Sequence, residues 1–137
     1  MAELEHNTEV DSRFPSGRWV GQYIQFGQRT KQELSLVFSD GIVEGGGADP
    51  VGWFAVMGTY DLDSGRVRMS KRYPGMHTVE YDGTAELKHG IWGLWQIPED
   101  VGNRGGFQLW PLGLGQSNAE ELEEEAPIGR EVIAMPD

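Results

Sequence analysis

The sequence predicts an all-β protein, an eight-stranded antiparallel barrel whose strands follow in up-and-down (meander) order. Short stretches of strand-forming residues recur between residues 17 and 112. Turn signals separate them about every 8–12 residues, a spacing typical of β-sandwiches and barrels. No part of this core repeats its apolar residues at helical spacing. Closure into a barrel is favoured over an open sandwich because it removes the exposed edge strands of a meander.

The clearest hairpin of the core is the run GTYDLDSGRVRMSKRY, in which Asp63-Ser64-Gly65 forms the turn. Asp40-Gly41 is a second strong signal, for a two-residue hairpin turn. In chain order, strands are predicted over 17–26, 33–39, from 42 onward, and over 53–61, 66–73, 77–83, 91–97 and 107–110. The Gly-rich segment 45–52 is predicted as a flexible rim loop or a bulged turn, and residues 98–106 are predicted as a loop. A phosphate-binding role of 45–52 is disfavoured because a strand follows it, not a helix.

Charge divides the chain into three parts. The net charge of −11 comprises −3 in residues 1–16, −2 in residues 17–114 and −6 in residues 115–137. Thirteen of the fourteen aromatic residues also lie between residues 17 and 114. We therefore expect a barrel domain over 17–114, a flexible N-terminal arm over 1–16 with Phe14 against the barrel, and an acidic, disordered tail over 115–137.

Composition disfavours several classes of function. The core has no basic cluster of the kind that nucleic-acid binding requires, so no nucleic-acid partner is expected. The chain has no cysteine, which excludes disulfides and thiolate metal sites. No apolar run reaches the roughly 18 residues of a membrane span, and the N-terminus lacks the features of a signal peptide. The expectation is a cytoplasmic protein without membrane contact, metal or cofactor.

The start of the first strand, Gly17-Arg18-Trp19, resembles the Gly-x-Trp signature of the calycins, the group of lipocalins, fatty-acid-binding proteins and avidins. Similar Gly-x-aromatic units recur at Gly21-Gln22-Tyr23, Gly58-Thr59-Tyr60 and Gly93-Leu94-Trp95. The resemblance implies a ligand-binding barrel that the tryptophan closes at one end. The chain departs from many secreted lipocalins because it has no disulfide and no helix is predicted after the last strand.

The candidate ligand site centres on Lys71, which alternates in phase with Val67, Met69 and Tyr73 on the face predicted to point inward. A buried lysine needs an acid, a ligand anion or an aromatic face. The predicted ligand-binding residues are Lys71, Trp19 and the four tyrosines Tyr23, Tyr60, Tyr73 and Tyr81. Such a pocket suits a small carboxylate or a polar aromatic molecule. The alternative is that Lys71 lies at the barrel mouth in water.

Two other hypotheses stay open. Trp92 and Trp95 are three residues apart, so one of them must point outward and could contact a protein partner or a second copy of the chain. His77 and His89 flank the sixth predicted strand and could meet near Asp82 or Glu80 in an acid–base or metal site, although no metal-binding spacing supports this. No residue is assigned a catalytic role, and a non-enzymatic binding module is the leading hypothesis.

Overall fold

The computed structural model describes residues 8–112, and these residues form the predicted all-β, eight-stranded antiparallel barrel in meander order. Each strand pairs with its sequence neighbours, and pairing of the first strand with the last closes the barrel. The strands are β1 Gly17–Gln25, β2 Gln28–Ser39, β3 Ile42–Asp49, β4 Gly52–Tyr60, β5 Arg66–Arg72, β6 Thr78–Glu86, β7 Gly90–Ile97 and β8 Asp100–Pro111. The predicted acidic tail, 115–137, and the first seven residues lie outside the described part.

The turns at the two ends of the barrel differ in their surroundings. One end, which we call the hairpin end, carries the β1–β2, β3–β4, β5–β6 and β7–β8 turns. The other, which we call the plugged end, carries the three remaining turns. Residues 8–16 cross the plugged end, where Thr8 bridges to Ser39 and the side chain of Phe14 is fully buried. Phe14 packs against the rings of Phe38 and Tyr60, so this end is closed by the chain itself.

Two of the tight turns have left-handed backbone at both central residues. Asp40-Gly41 forms the predicted two-residue turn, with φ angles of 53° and 82°. Phe26-Gly27 forms another, with φ angles of 53° and 79°. Such turns match the twist of the paired strands. The second one lies directly after the first strand, and β2 begins at Gln28, five residues before the predicted start at residue 33.

The predictions of loops over 45–52 and 98–106 were wrong for most of their length. β3 continues to Asp49 and β8 begins at Asp100, so only short turns remain. The physical reason is close approach between strands. A Cβ atom on Gly45 would lie 1.9 Å from the carbonyl oxygen of Ser35, and one on Gly105 would lie 2.1 Å from that of Ile24. Glycine here permits tight coiling of paired strands and does not end them.

Alternation along the strands places the predicted core inside. Val67, Met69 and Lys71 of β5 are all buried, which confirms the inward face predicted for this strand. In β7, Trp95 is buried in the barrel core, whereas Trp92 lies on the outer surface and is partly exposed. The two tryptophans therefore point to opposite faces, as their spacing predicts.

Candidate functional site

A buried ion pair lies inside the barrel near the hairpin end. The Lys71 Nζ atom of β5 is 2.7 Å from the Asp49 Oδ2 atom at the end of β3. Only 3% of the Lys71 side chain and none of the Asp49 side chain is exposed. Lys71 thus points inward as predicted, and the partner that its charge requires is an acid of the same chain.

The ammonium group of Lys71 uses all three of its protons. Besides Asp49, Nζ donates to Gln32 Oε1 at 3.0 Å and to the Tyr81 hydroxyl at 3.3 Å. Four aromatic rings surround the same atom, with centroids 4.3 to 5.7 Å away, from Phe54, Tyr23, Tyr73 and Tyr81. Hydrogen bonds and ring faces together compensate for the loss of water around the charge.

The Asp49 carboxylate is equally well satisfied. Its Oδ2 atom accepts from Lys71 and from the hydroxyl of Tyr73. Its Oδ1 atom accepts from the backbone amides of Val51 and Gly52, at 2.8 and 3.3 Å, which fixes the β3–β4 turn. Burial alone would raise the pKa of Asp49, but the hydrogen bonds from Lys71 and Tyr73 outweigh it and hold that pKa below 3.8. Asp49 is therefore a carboxylate at neutral pH.

Burial also sets the protonation of the other groups at this site. It lowers the pKa of Lys71 below 10.5, and the hydrogen bond to Asp49 opposes that change. It raises the pKa of Tyr23, Tyr73 and Tyr81 above 10, and the charge of Asp49 adds to the increase. The three phenols stay neutral over the ordinary pH range, so the site holds one cation and one anion that cancel each other.

A small cavity lies beside the ion pair, toward the centre of the barrel. The space open to the centre of a water molecule is about 10 Å³, which is about the room that one water needs. Its wall comprises Lys71, Gln32, Tyr81, Leu34, Val56, Met69 and Leu109. Gln32 is 2% exposed, and among the described residues its Nε2 atom has no hydrogen-bond partner. The Gln32 amide is thus a group of the cavity wall whose donor has no partner among the described residues.

The structure brings together four of the six predicted ligand-binding residues: Lys71, Tyr23, Tyr73 and Tyr81. The other two lie at the plugged end. The Tyr60 hydroxyl donates to Glu9 at 2.7 Å, and burial, reinforced by Glu9, raises its pKa to about 12. Trp19 is 1% exposed and its indole donates to the Pro15 carbonyl oxygen at 2.9 Å. Both residues hold the N-terminal segment against the barrel and do not face Lys71.

Three site residues were missed by the sequence analysis: Asp49, Gln32 and Phe54. Asp49 lies in the segment predicted as a loop. Gln32 extends the inward series of Leu34, Leu36 and Phe38 by one step, and that alternation could have identified it. No local signal indicated that the acid and the lysine, 22 residues apart, would meet.

The suggested histidine site does not form. His77 precedes β6 at the hairpin end, whereas His89 follows it at the plugged end, where its Nδ1 atom lies 2.8 Å from Glu86 Oε1. The nine residues of β6 separate them, a length of about 30 Å. In the part of the chain that is described, no three acidic or histidine side chains cluster as metal ligands would.

Sequence and structure comparisons add no relative. No family model, curated protein or solved structure matches this chain. Within residues 8–112 no helix combines the length and the apolar character that crossing a membrane demands.

The surface of the hairpin end carries a ring of exposed apolar side chains, one at or beside each turn. The ring, which we call the apolar ring, comprises Phe26, 84% exposed, Val51, 55%, Met76, 51%, and Val101, 73%. Exposed cationic residues follow directly behind it on the outer surface: Arg29, Lys31, Arg72 and Arg104. An exposed apolar cluster with a polar surround is a common feature of interaction sites.

Proposed function

We propose that this protein is a non-enzymatic binding module that docks a protein partner on the hairpin end of its barrel. The observation that carries the proposal is the apolar ring, because all four turns of one end expose a large apolar residue. Isolated exposed apolar residues are ordinary on protein surfaces, but a cluster on one face indicates a contact surface. The plugged end also exposes Val10, Leu62 and Leu87, but there Phe14 of the N-terminal segment fills the barrel opening.

The interior supports a ligand less well than the sequence suggested. Every proton of the Lys71 ammonium and every acceptor position of Asp49 already has a partner. No charge is left over for a carboxylate ligand, and the cavity has room for about one water. Binding a larger molecule would require the aromatic side chains around Lys71 to move apart.

The charge around the apolar ring indicates the chemistry of the partner. Arg29, Lys31, Arg72 and Arg104 lie behind the ring together with the acid Glu80 of β6, and Glu99 and Asp100 adjoin the ring where β7 connects to β8. We therefore expect the partner to present an apolar patch bordered by Asp or Glu, since complementary potentials favour docking. An anionic membrane is disfavoured because Glu99 and Asp100 adjoin Val101 and the whole chain carries a net charge of −11.

Peptide display tests the proposal without a known partner. A random peptide library is selected on the immobilised full chain, and the enriched peptides are synthesised and titrated by calorimetry. We expect them to share apolar positions next to Asp or Glu. Replacing Phe26→Ser and Val101→Ser together should weaken binding about tenfold or more, since such anchors carry most of the binding energy.

Leu87→Ser is the matched control, because Leu87 is 65% exposed in the turn at the plugged end. It should leave the peptide affinity unchanged. Circular dichroism and urea unfolding establish that all variants are folded. The proposal fails if no sequence is enriched, if the ring variant binds as the parent does, or if the protein sediments with phosphatidylserine vesicles and ignores the peptides.

A second candidate function, a carrier for a small polar molecule in the interior, follows the calycin resemblance. The closed barrel is compatible with that family, and the specific support is the Nε2 donor of Gln32 at the cavity beside Lys71. Native mass spectrometry of the gently purified full chain tests it. A bound mass that disappears in Gln32→Leu supports a ligand, and an unmodified chain mass counts against one.

A further inference from the structure

The outer surface of β4 carries an apolar strip that is separate from the apolar ring. Trp53, Ala55 and Met57 alternate outward along the strand, while Phe54 and Val56 point into the core. Trp53 is 77% exposed and Met57 61%. A tryptophan and a methionine so exposed on a flat strand surface are typical of contacts between proteins.

Opposite charges flank this strip on its two sides. Glu44 of β3 pairs directly with Met57 in the sheet register, and Arg72 of β5 pairs with Ala55. Both side chains are exposed, and within residues 8–112 neither has an ion-pair partner within 4.0 Å. Arg68 of β5 lies on the same side as Arg72, and its side chain is 62% exposed. Its Nε atom is 3.7 Å from the Oδ2 atom of Asp82 on β6. From β3 to β5 the surface thus runs from acidic through apolar to basic, and β6 beyond it carries the acids Asp82 and Glu80 beside Arg68 and Ser70.

This order of charges is complementary to itself. Suppose that two copies meet with strip against strip around a two-fold axis parallel to β4. The acidic side of one copy then faces the basic side of the other, and each residue keeps its height along the strand. Met57 also pairs with Ser70, so Glu44 of the second copy would face Ser70. Arg68 and Arg72 stand two residues to either side of Ser70, about 7 Å along the strand. Each Glu44 then lies between two arginines.

We propose that this face, comprising the strip and its flanking charges Glu44, Arg68 and Arg72, binds a second copy of the chain to form a two-fold dimer. The strip contributes apolar burial at the centre, and the charges fix the orientation because only the axis parallel to β4 brings opposite signs together. The four residues of the apolar ring lie outside this face, and Arg72 is the residue that the two surfaces share.

Charge reversal in two matched variants tests the proposal. Light scattering on the full chain should give twice the monomer mass of 15.2 kDa at high concentration. The first variant, Glu44→Arg, has basic residues on both sides of the strip. The second variant combines Arg68→Glu and Arg72→Glu and has acidic residues on both sides. Each variant should weaken self-association about tenfold or more, since like charges then oppose each other. An equal mixture of the two should regain the dimer mass.

Leu94→Glu is the control, because Leu94 is 50% exposed on the outer surface of β7, on a different part of the barrel wall. It should dimerise as the parent does. Urea unfolding followed by tryptophan fluorescence verifies that the exposed-site variants stay folded. The proposal is wrong if the parent chain remains a monomer as concentration rises, if the mixture does not recover the dimer, or if Leu94→Glu dissociates it as strongly as the reversals do.

Discussion

The Lys71 Nζ atom lies 2.7 Å from the Asp49 Oδ2 atom, and this contact joins two strands that share no backbone hydrogen bonds. β3 and β5 are both neighbours of β4, so the ion pair spans β4 across the barrel interior, beside Phe54. Because a buried pair loses its hydration, it is weak evidence of stability by itself. The removal of one partner, by contrast, should be costly.

A double-mutant cycle on this pair is the first prediction. Lys71→Met leaves the Asp49 carboxylate buried without its cation, and should lower the free energy of unfolding by about 3–5 kcal/mol. Asp49→Asn in the same chain keeps an acceptor for the Val51 amide and removes the charge. The double variant should therefore be more stable than Lys71→Met alone. Urea unfolding measures all four proteins, and additive losses would contradict a coupled pair.

The second prediction concerns alkaline pH. All four tyrosines of the chain have a raised pKa, that of Tyr60 to about 12. Unfolded tyrosines ionise near pH 10. Since the folded state keeps them neutral, the stability that they contribute is complete below about pH 10 and is lost as the pH rises further. Urea midpoints should fall steeply there.

Ultraviolet absorbance gives the matching measurement. In the folded protein the tyrosinate band should stay flat past pH 10 and then rise together with unfolding, whereas in urea it should titrate near pH 10. Tyrosinate that forms with a midpoint near 10 while tryptophan fluorescence remains native would disprove the burial of these phenols.

Alternation along the strands was enough to predict which side chains of the core point inward, and it identified Lys71. It could not predict the level of a residue along the barrel axis, because strand register sets that level and depends on turn lengths. Tyr60 and Tyr73 both point inward, but Tyr60 packs against Phe14 at the plugged end, whereas the Tyr73 hydroxyl donates to Asp49 near the hairpin end. Asp49 was missed since its glycine neighbours resemble a loop, although close strand packing is what requires them.

The third prediction concerns the N-terminal segment. Phe14 is fully buried, with its ring centroid 4.7 Å from that of Tyr60 and 5.4 Å from that of Phe38. Phe14→Ala should lower the free energy of unfolding by about 3–5 kcal/mol. Val10→Ala, at a 94% exposed position of the same segment, should change it by less than about 0.5 kcal/mol. Equal effects of the two substitutions would mean that the segment leaves the barrel end in solution.

The fourth prediction tests the close contact between β2 and β3. A Cβ atom on Gly47 would lie 1.9 Å from the Glu33 carbonyl oxygen and 2.9 Å from Leu34 Cα, so backbone must move to accept it. Gly47→Ala should cost about 3 kcal/mol or more, the upper range for overpacking. At Gly102 an added Cβ meets nothing within 4 Å, and Gly102→Ala should be neutral or slightly stabilising because alanine restricts the unfolded chain. Because Asp49 ends the same strand, a shift of β3 should also move it relative to Lys71. Thermal unfolding of the two variants is the measurement. Equal unfolding midpoints would mean that β3 does not coil against β2 as described.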